Sequence, residues 1–320
     1  MLSAESSMGE RGEKEISTAI ILTVPSDFNR LMPLYHLLEK NLPVENIVFI
    51  GNQEVGRLLT QSDLGERYRH LDEERLISFD AVKHVIEDIF GGQSVTRGFV
   101  GWYYQQFLKL AYAAECKDAY YLSWDGDTVP VRKLSFFSQG KPYMGLKKEY
   151  HAPYFQTLET LFPGMHKVIS DSFVAEHMVF AKELVLKMLD EIMEAEHLKG
   201  DTFYERILRA VEPKALNGNS FSEFETYGTY TALREPERYR LRRWISFRHC
   251  GQYFLPGDIT EEEMEWLAKD FQAISFEKGH TPDPQADFFR NPVYRQKLTA
   301  RYILEVIQEN SSGGLNEVWD

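Results

Sequence analysis

A strand–helix–strand unit opens the chain and constrains its fold more than any other feature. Ile16–Val24 is rich in β-branched residues and predicts a buried strand, after which Ser26 or Asp27 is placed to cap a helix. Asn46–Ile50 is a second short apolar run, which ends at a glycine. Strand, helix and strand within about 35 residues form a βαβ unit, so we predict an α/β fold built on a parallel sheet.

The same alternation continues along the chain. We predict a third strand at 75–79, a helix at 81–90, a further helix at 102–114 and a strand at 119–123. The residues Trp124–Asp127 follow the last of these strands directly. Ligands of open α/β sheets bind beyond the carboxyl ends of the strands, so chemistry is expected at this point.

The second half of the chain is less regular, and no linker separates it from the first. We predict a strand there at 172–180 and four helices, at 182–196, 221–233, 260–273 and 292–309. We place a boundary within the single predicted domain near Met144. The first residues, 1–15, and the last, 311–320, are predicted to be flexible.

Composition excludes several classes of protein. The formal net charge of −13 argues against nucleic acid and against general adhesion to an anionic membrane. Cys116 and Cys250 form neither a metal-binding spacing nor a disulfide framework, which indicates a cytoplasmic protein. No apolar run approaches the roughly 20 residues that span a bilayer, and residues 1–15 lack the apolar core of a signal peptide.

The stretch Asp125-Gly126-Asp127 is the most informative in the chain. Two carboxylates separated by one small residue can approach the same ion, and Mn²⁺ or Mg²⁺ prefers oxygen ligands and readily shares substrate phosphates. Gly126 leaves room for a ligand to come near the backbone. The alternative is an ordinary surface turn, in which Asp-Gly-Asp is common.

This combination resembles the GT-A glycosyltransferases, in which a buried strand also ends in Asp-x-Asp. The segment Gly101–Leu110, one strand ahead of the acidic pair, is similar to bacterial members of that fold from surface-polysaccharide pathways. The resemblance covers residues 16–250. It implies a Rossmann-like mixed sheet flanked by helices with a C-terminal helical elaboration, in which 16–143 binds a nucleotide sugar and 144–310 binds the acceptor.

The resemblance also implies how the donor is held. Asp127 would be a direct ligand of Mn²⁺ or Mg²⁺, and Asp125 would face the ribose and reach the metal through water. Thr23, Val24 and Pro25 would contact the nucleotide base, and Trp124 and Gly126 would also belong to the donor-binding residues. A departing nucleoside diphosphate gains negative charge in the transition state, which a metal ion and nearby cations stabilise.

Arg97 and Lys109 are the cations expected to face the diphosphate. Arg97 lies in a glycine-bounded stretch, which predicts a mobile loop that closes over the donor. For Lys109 the alternative is a solvated helix face.

Glu223 and Glu225 are the candidate catalytic bases, since many GT-A enzymes carry an acidic pair at the start of a helix after the acceptor-binding segment. One carboxylate would deprotonate the acceptor hydroxyl in an inverting reaction. Phe224 separates the two here, which departs from the familiar adjacent pair. Ser222 and Glu225 have the spacing of a capping box, so Glu223 is the first choice as base.

Three further polar residues complete the expected site. The resemblance implies that His249 is a third metal ligand, with a core or surface histidine as the alternative. Glu176 and His177 interrupt an apolar strand, which favours a position that faces a cavity or a partner. The resemblance implies that this strand lies beside the acceptor, so both residues are candidates for acceptor binding. For His177 the alternative is a satisfied core histidine.

The predicted function is transfer of a hexose from a nucleotide-diphosphate donor, with UDP as the expected nucleotide, to a glycan or glycolipid acceptor. A lipid-linked acceptor would bring the enzyme to the membrane face. One alternative is a haloacid-dehalogenase-like phosphatase, in which Asp125 is the nucleophile and Asp127 the general acid. Its second acidic motif is poorly matched by Gly257-Asp258. The other alternative is a non-catalytic module that binds sugar or metal.

Overall fold

The computed structural model describes residues 16–213, 216, 219–283 and 289–310. The stretches 1–15 and 311–320, for which flexibility was predicted, lie outside these residues. Among the residues described, no helix is long and apolar enough to cross a membrane.

The strands form three sheets. They are β1 Thr18–Leu22, β2 Asn46–Gly51, β3 Tyr68–Asp72, β4 Tyr120–Trp124, β5 Thr128–Pro130, β6 Phe137–Ser138, β7 Lys141–Leu146, β8 His177–Ala181, β9 Arg240–Arg243, β10 Ser246–Phe247 and β11 Ala273–Ser275. The main sheet has the order β3-β2-β1-β4-β8, in which β8 alone is antiparallel to its neighbour. The smaller sheets have the orders β10-β11-β5 and β6-β7-β9.

Twelve helices are described. They are α1 Pro25–Leu31, α2 Tyr35–Asn41, α3 Gln53–Gln61, α4 Phe79–Ile89, α5 Arg97–Glu115, α6 Ala152–Leu161, α7 Lys182–Glu194, α8 Phe203–Ala210, α9 Glu223–Arg234, α10 Glu261–Leu267, α11 Pro292–Lys297 and α12 Ala300–Asn310. The predicted α/β class, with a mixed sheet flanked by helices, is confirmed.

The main sheet is buried on both faces, which explains why its first strands are continuously apolar. Side chains alternate along a strand, so Ile20 and Ile21 enter two different hydrophobic clusters. Helices α4 to α9 pack into the cluster that contains Ile20, and α1, α2 and the C-terminal elements into the other. The proposed boundary at Met144 falls inside β7, and both clusters draw residues from either side of it.

Several predicted elements of the first half differ from those observed. The third strand is Tyr68–Asp72 rather than 75–79, because a polar edge strand carries little apolar signal. Helix α1 begins at Pro25 without a side-chain cap, so neither Ser26 nor Asp27 caps it. Helix α5 starts at Arg97, where Thr96 caps it, so the expected mobile loop around Arg97 is wrong.

The second half also departs from prediction at three elements. The strand predicted at 172–180 is confined to β8, since Ser172 pairs with Lys147 instead. The helix predicted at 260–273 ends at Leu267, and 273–275 is β11. The last predicted helix is divided into α11 and α12.

Candidate functional site

A cavity of about 570 Å³ opens beyond the carboxyl ends of β1 and β4. Strand β1 has β2 on one side and β4 on the other, so the strand order reverses direction here. Such switch points are where open α/β sheets bind ligands. The walls come from residues within five segments, 22–27, 102–109, 124–127, 174–176 and 219–224. They are completed by residues 147, 149, 154, 248, 275, 277 and 278.

The Asp125–Asp127 turn is tied to the end of β4. Trp124 Nε1 donates to the Thr128 carbonyl over 2.7 Å, and the Thr128 amide donates to the Asp125 carbonyl over 3.1 Å. A Cβ at Gly126 would collide with the Leu22 carbonyl oxygen. The glycine is therefore needed for close approach of β1, and the room expected for a ligand is filled by backbone.

Asp127 is half-buried at the cavity wall, where its Oδ1 accepts from Thr128 Oγ1 over 3.1 Å. Burial, together with the neighbouring carboxylates of Asp125 and Glu277, raises the pKa of Asp127 to about 7. The residues lining the cavity include seven acids and four bases. This wall is short of positive charge, so a divalent cation fits it.

Lys109 is buried and joins the two acidic elements of the site. Its Nζ donates to Asp125 Oδ1 over 2.9 Å and lies 2.7 Å from Glu223 Oε1. Burial opposes the ammonium form, but the two carboxylates outweigh it and raise the pKa of Lys109. The residue lines the cavity and its charge is shared by two carboxylates. The solvated-face alternative is wrong, because Lys109 is buried.

The donor set suits a metal ion that is shared with substrate. Within the described residues, no three His, Cys, Asp or Glu side chains converge closely enough to hold a metal by themselves. His249 does not line the cavity, and its ring lies 5.2 Å from that of His280, so the three-ligand set with Asp125 and Asp127 is not formed. Mg²⁺-type sites commonly use one or two carboxylates and substrate phosphates for the remainder.

The two candidate bases at the start of α9 have different environments. Glu223 lines the cavity, whereas Glu225 does not and accepts from Ser172 Oγ over 2.6 Å and from the Phe173 amide over 3.1 Å. Ser222 caps the helix through the Glu225 amide, which gives the predicted cap without its reciprocal bond. Of the pair, Glu223 is therefore the one whose side chain lines the cavity.

Glu176 lines the cavity but is fully engaged in a buried network. Its carboxylate accepts from Lys147 Nζ over 2.6 Å, from Trp244 Nε1 over 2.6 Å and from Ser246 Oγ over 2.8 Å. Burial opposes ionisation, but Lys147 and the hydrogen bonds prevail and lower the pKa of Glu176 to about 2. Its backbone carbonyl also accepts from the Asp125 amide, so Glu176 positions the acidic turn.

His177 does not line the cavity and is packed among aromatic rings instead. Its ring centroid lies 4.2 Å from Trp244, 5.2 Å from Phe136 and 5.7 Å from Trp124. Neither ring nitrogen has a hydrogen-bond partner within the described part of the chain. The expected role in acceptor binding is therefore wrong. His177 is a core histidine, as in the alternative, but its ring nitrogens lack the hydrogen bonds that this alternative assumed.

We expect the buried His177 to make the protein less stable as the pH falls. Burial, with the charge of Arg242, lowers the pKa of His177 to about 3 from an ordinary 6.5. Below pH 6.5 the unfolded chain therefore binds a proton that the folded chain refuses, and stability declines. Between pH 7 and pH 5 the loss is about 2 kcal/mol, and His177→Phe should remove it.

Urea unfolding of the wild-type protein and of the His177→Phe variant, at pH 7 and at pH 5, measures how much stability each loses between the two pH values. His166→Phe is the control, because His166 is exposed and the substitution should leave the pH dependence unaltered. An equal loss of stability in the wild-type protein and the His177→Phe variant would contradict the assignment.

The expected donor residues divide between the cavity and its surroundings. Thr23, Trp124 and Gly126 line the cavity, whereas Val24 and Pro25 do not. Arg97 also lies elsewhere: its guanidinium is 4.3 Å from the Phe79 ring centroid and 3.9 Å from Glu73. Gly257 and Asp258, the second acidic motif of the phosphatase alternative, are outside the cavity lining too.

Sequence reasoning missed several polar residues that line the cavity, namely Asp27, Gln105, Gln106, Lys147, Glu149, Asn219, Arg248, Glu277 and Lys278. Gln106 carried one usable signal, since it is a buried amide on the helix face next to Lys109. Its Oε1 accepts from the Glu223 amide over 3.1 Å. Glu277 follows a short strand near the C-terminus and had no local pattern to reveal it.

Comparison with known proteins gives one family. A family model described as "Family of unknown function (DUF6492)" matches residues 51–290. No curated protein sequence matches the chain.

Solved structures resemble the chain at low sequence identity. Mouse xyloside xylosyltransferase 1 is 13% identical with a TM-score of 0.41, over 84% of this chain and 99% of that one. An active-site mutant of LgtC is 13% identical with a TM-score of 0.43, over 88% and 100%. The bifunctional glycosyltransferase WbbM is 15% identical with a TM-score of 0.43. That match covers 92% of this chain but only 51% of the WbbM chain.

Proposed function

The chain belongs to DUF6492, a family of unknown function, and we propose that it is a metal-dependent glycosyltransferase of the GT-A type. The observation that carries this proposal is the acidic turn Asp125–Asp127 at the wall of a cavity beyond β1 and β4. The volume of about 570 Å³ is within the range of sites that enclose a small ligand such as a nucleotide sugar.

The excess of acids over bases supports the requirement for a metal. The cavity wall carries seven acids and four bases, so it would repel a diphosphate. Two of the four bases, Lys109 and Lys147, are already held in buried ion pairs. Asp127, with Asp125 beside it, would hold Mn²⁺ or Mg²⁺ together with the phosphates. The ion would stabilise negative charge on the departing nucleoside diphosphate.

The residues of the chain have separate tasks in this proposal. Thr23 and Trp124 form the side of the cavity where the nucleoside would lie, and Lys109 orients the Asp125 carboxylate. Glu223 would accept the proton of the acceptor hydroxyl, which favours an inverting reaction. UDP is the proposed nucleotide, a glycan or glycolipid the proposed acceptor, and the free, buried cysteines Cys116 and Cys250 suit a cytoplasmic enzyme.

Calorimetry with UDP and with GDP, in the presence and absence of Mn²⁺, tests the proposal. We expect binding of a nucleoside diphosphate with the metal and loss of that binding when the metal is chelated. If neither nucleotide binds in the presence of Mn²⁺, the proposal fails. Release of phosphate from sugar phosphates without any nucleotide would instead support a phosphatase.

A further inference from the structure

Two segments of this acidic protein contain cations and no acids. Residues 131–148 include five Lys or Arg and no Asp or Glu, and residues 238–257 include five Arg and no Asp or Glu. The whole chain has a formal net charge of −13, so positive charge is concentrated in these two segments.

The fold brings the two segments together on one sheet. Strand β9 is the edge of the sheet β6-β7-β9 and pairs in parallel with β7, from Tyr143 opposite Arg240 to Leu146 opposite Arg243. The loop before β6 joins them, because Arg242 Nη1 donates to the Ser135 carbonyl over 2.6 Å. The hairpin between β6 and β7 joins them too, since Arg240 donates to the side chain of Gln139.

Five cations lie on this sheet or in the loop before β6, and we call them together the basic edge: Arg132, Lys133, Lys141, Arg240 and Arg243. None of the five makes an ion pair with any residue that the structure describes. All but Lys141 are exposed. Arg132 is also close to β9, because its charge adds to burial in lowering the pKa of Arg242.

Two cations of the same segments line the cavity and are paired with acids. Lys147 Nζ lies 2.6 Å from Glu176, and Arg248 Nε lies 3.1 Å from Glu277. Within these two segments, the cavity-lining Lys147 and Arg248 therefore have acidic partners, whereas the cations of the basic edge have none among the described residues. Unpaired like charges at one edge repel each other, which favours an anionic partner outside the chain.

We propose that the basic edge docks on the surface of a bilayer that contains anionic lipids. The two segments carry ten Lys or Arg and no acid, so the rest of the chain is more negative than the formal net charge of −13, and this edge is the part of the protein that an anionic surface would attract most. Leu241 lies between Arg240 and Arg242 and is 54% exposed, which suits insertion at the boundary of headgroups and acyl chains. Lys and Arg clusters of this size are attracted to anionic lipid headgroups.

The edge is connected to the cavity through β7. The strand runs from Lys141 to Leu146, and the next residue, Lys147, lines the cavity. At about 3.3 Å per residue the two ends are roughly 20 Å apart. Docking itself is independent of the proposed transferase activity; only its use, to meet a lipid-linked acceptor, rests on that function.

Sedimentation with vesicles tests the docking surface. We expect the full chain to bind vesicles of phosphatidylcholine mixed with phosphatidylglycerol, not vesicles of phosphatidylcholine alone, and to dissociate as salt is added. Replacing Arg132, Lys133, Arg240 and Arg243 together by Ser should weaken the binding at least about tenfold.

The matched control replaces four exposed lysines elsewhere, Lys40, Lys117, Lys199 and Lys269, by Ser and changes the net charge equally. It should bind the vesicles at least half as well as the wild-type protein. Equal weakening in both variants, equal binding to the neutral vesicles, or tighter binding to heparin than to the anionic vesicles would each overturn the proposal. Nucleotide calorimetry on the same variants reports the transferase site separately, and the thermal melting curve reports folding.

Discussion

The Asp127→Asn variant should lose metal-dependent binding of a nucleoside diphosphate by at least about 100-fold. Asn has nearly the shape of Asp and retains an oxygen that can accept from Thr128 Oγ1. It lacks the negative charge, so the cation would have only Asp125 and the phosphates. The measurement is calorimetric titration with UDP at saturating Mn²⁺, with Asp63→Asn, an exposed substitution, as the control.

The same substitution should leave the metal-free protein as stable or make it more stable at pH 8. Because the pKa of Asp127 is raised to about 7, the folded protein binds a proton more readily than the unfolded chain, and stability falls as pH rises towards 7. Asn removes that penalty. A large loss of stability at pH 8, or unaltered nucleotide binding, would show that the cation lies elsewhere.

The first half of the main sheet was predictable because its strands are buried on both faces. Continuous β-branched runs such as Thr18–Leu22 and Asn46–Gly51 leave little choice of structure. Tyr68–Asp72 was missed because an edge strand with a polar outer side resembles a loop. Arg97 was misplaced because Gly91, Gly92 and Gly98 suggested a loop, whereas Arg97 and Gly98 are the first two residues of α5.

The candidate site was predictable where its residues follow a strand and unpredictable where they pair across the fold. Asp125 and Asp127 are marked by their place after β4. The partners of Lys109 lie 16 and 114 positions away along the chain, and local sequence carries no sign of either ion pair. His177 was misjudged for a related reason, since the aromatic rings that enclose it come from distant segments.

Lys109→Met should destabilise the protein by about 3–5 kcal/mol, because it leaves a buried carboxylate without its counter-charge. Glu223 bears most of this cost, since only 5% of its side chain is exposed, against 33% for that of Asp125. The control is Lys83→Met, which removes a more exposed ion pair with Glu87 and should cost less than about 1 kcal/mol. Urea unfolding at pH 7 measures both.

The double variant Lys109→Met, Glu223→Gln separates the structural part of this ion pair from its part in binding. Gln removes the uncompensated charge, so at least half of the lost stability should return. Nucleotide affinity in the presence of Mn²⁺ should remain low, because the cavity has lost a cation and Asp125 the ammonium that orients it. Recovery of both stability and nucleotide affinity would mean that Lys109 acts on folding alone. If neither recovers, the cost of Lys109→Met lies in lost packing against Phe224, whose ring centroid is 4.3 Å from the ammonium.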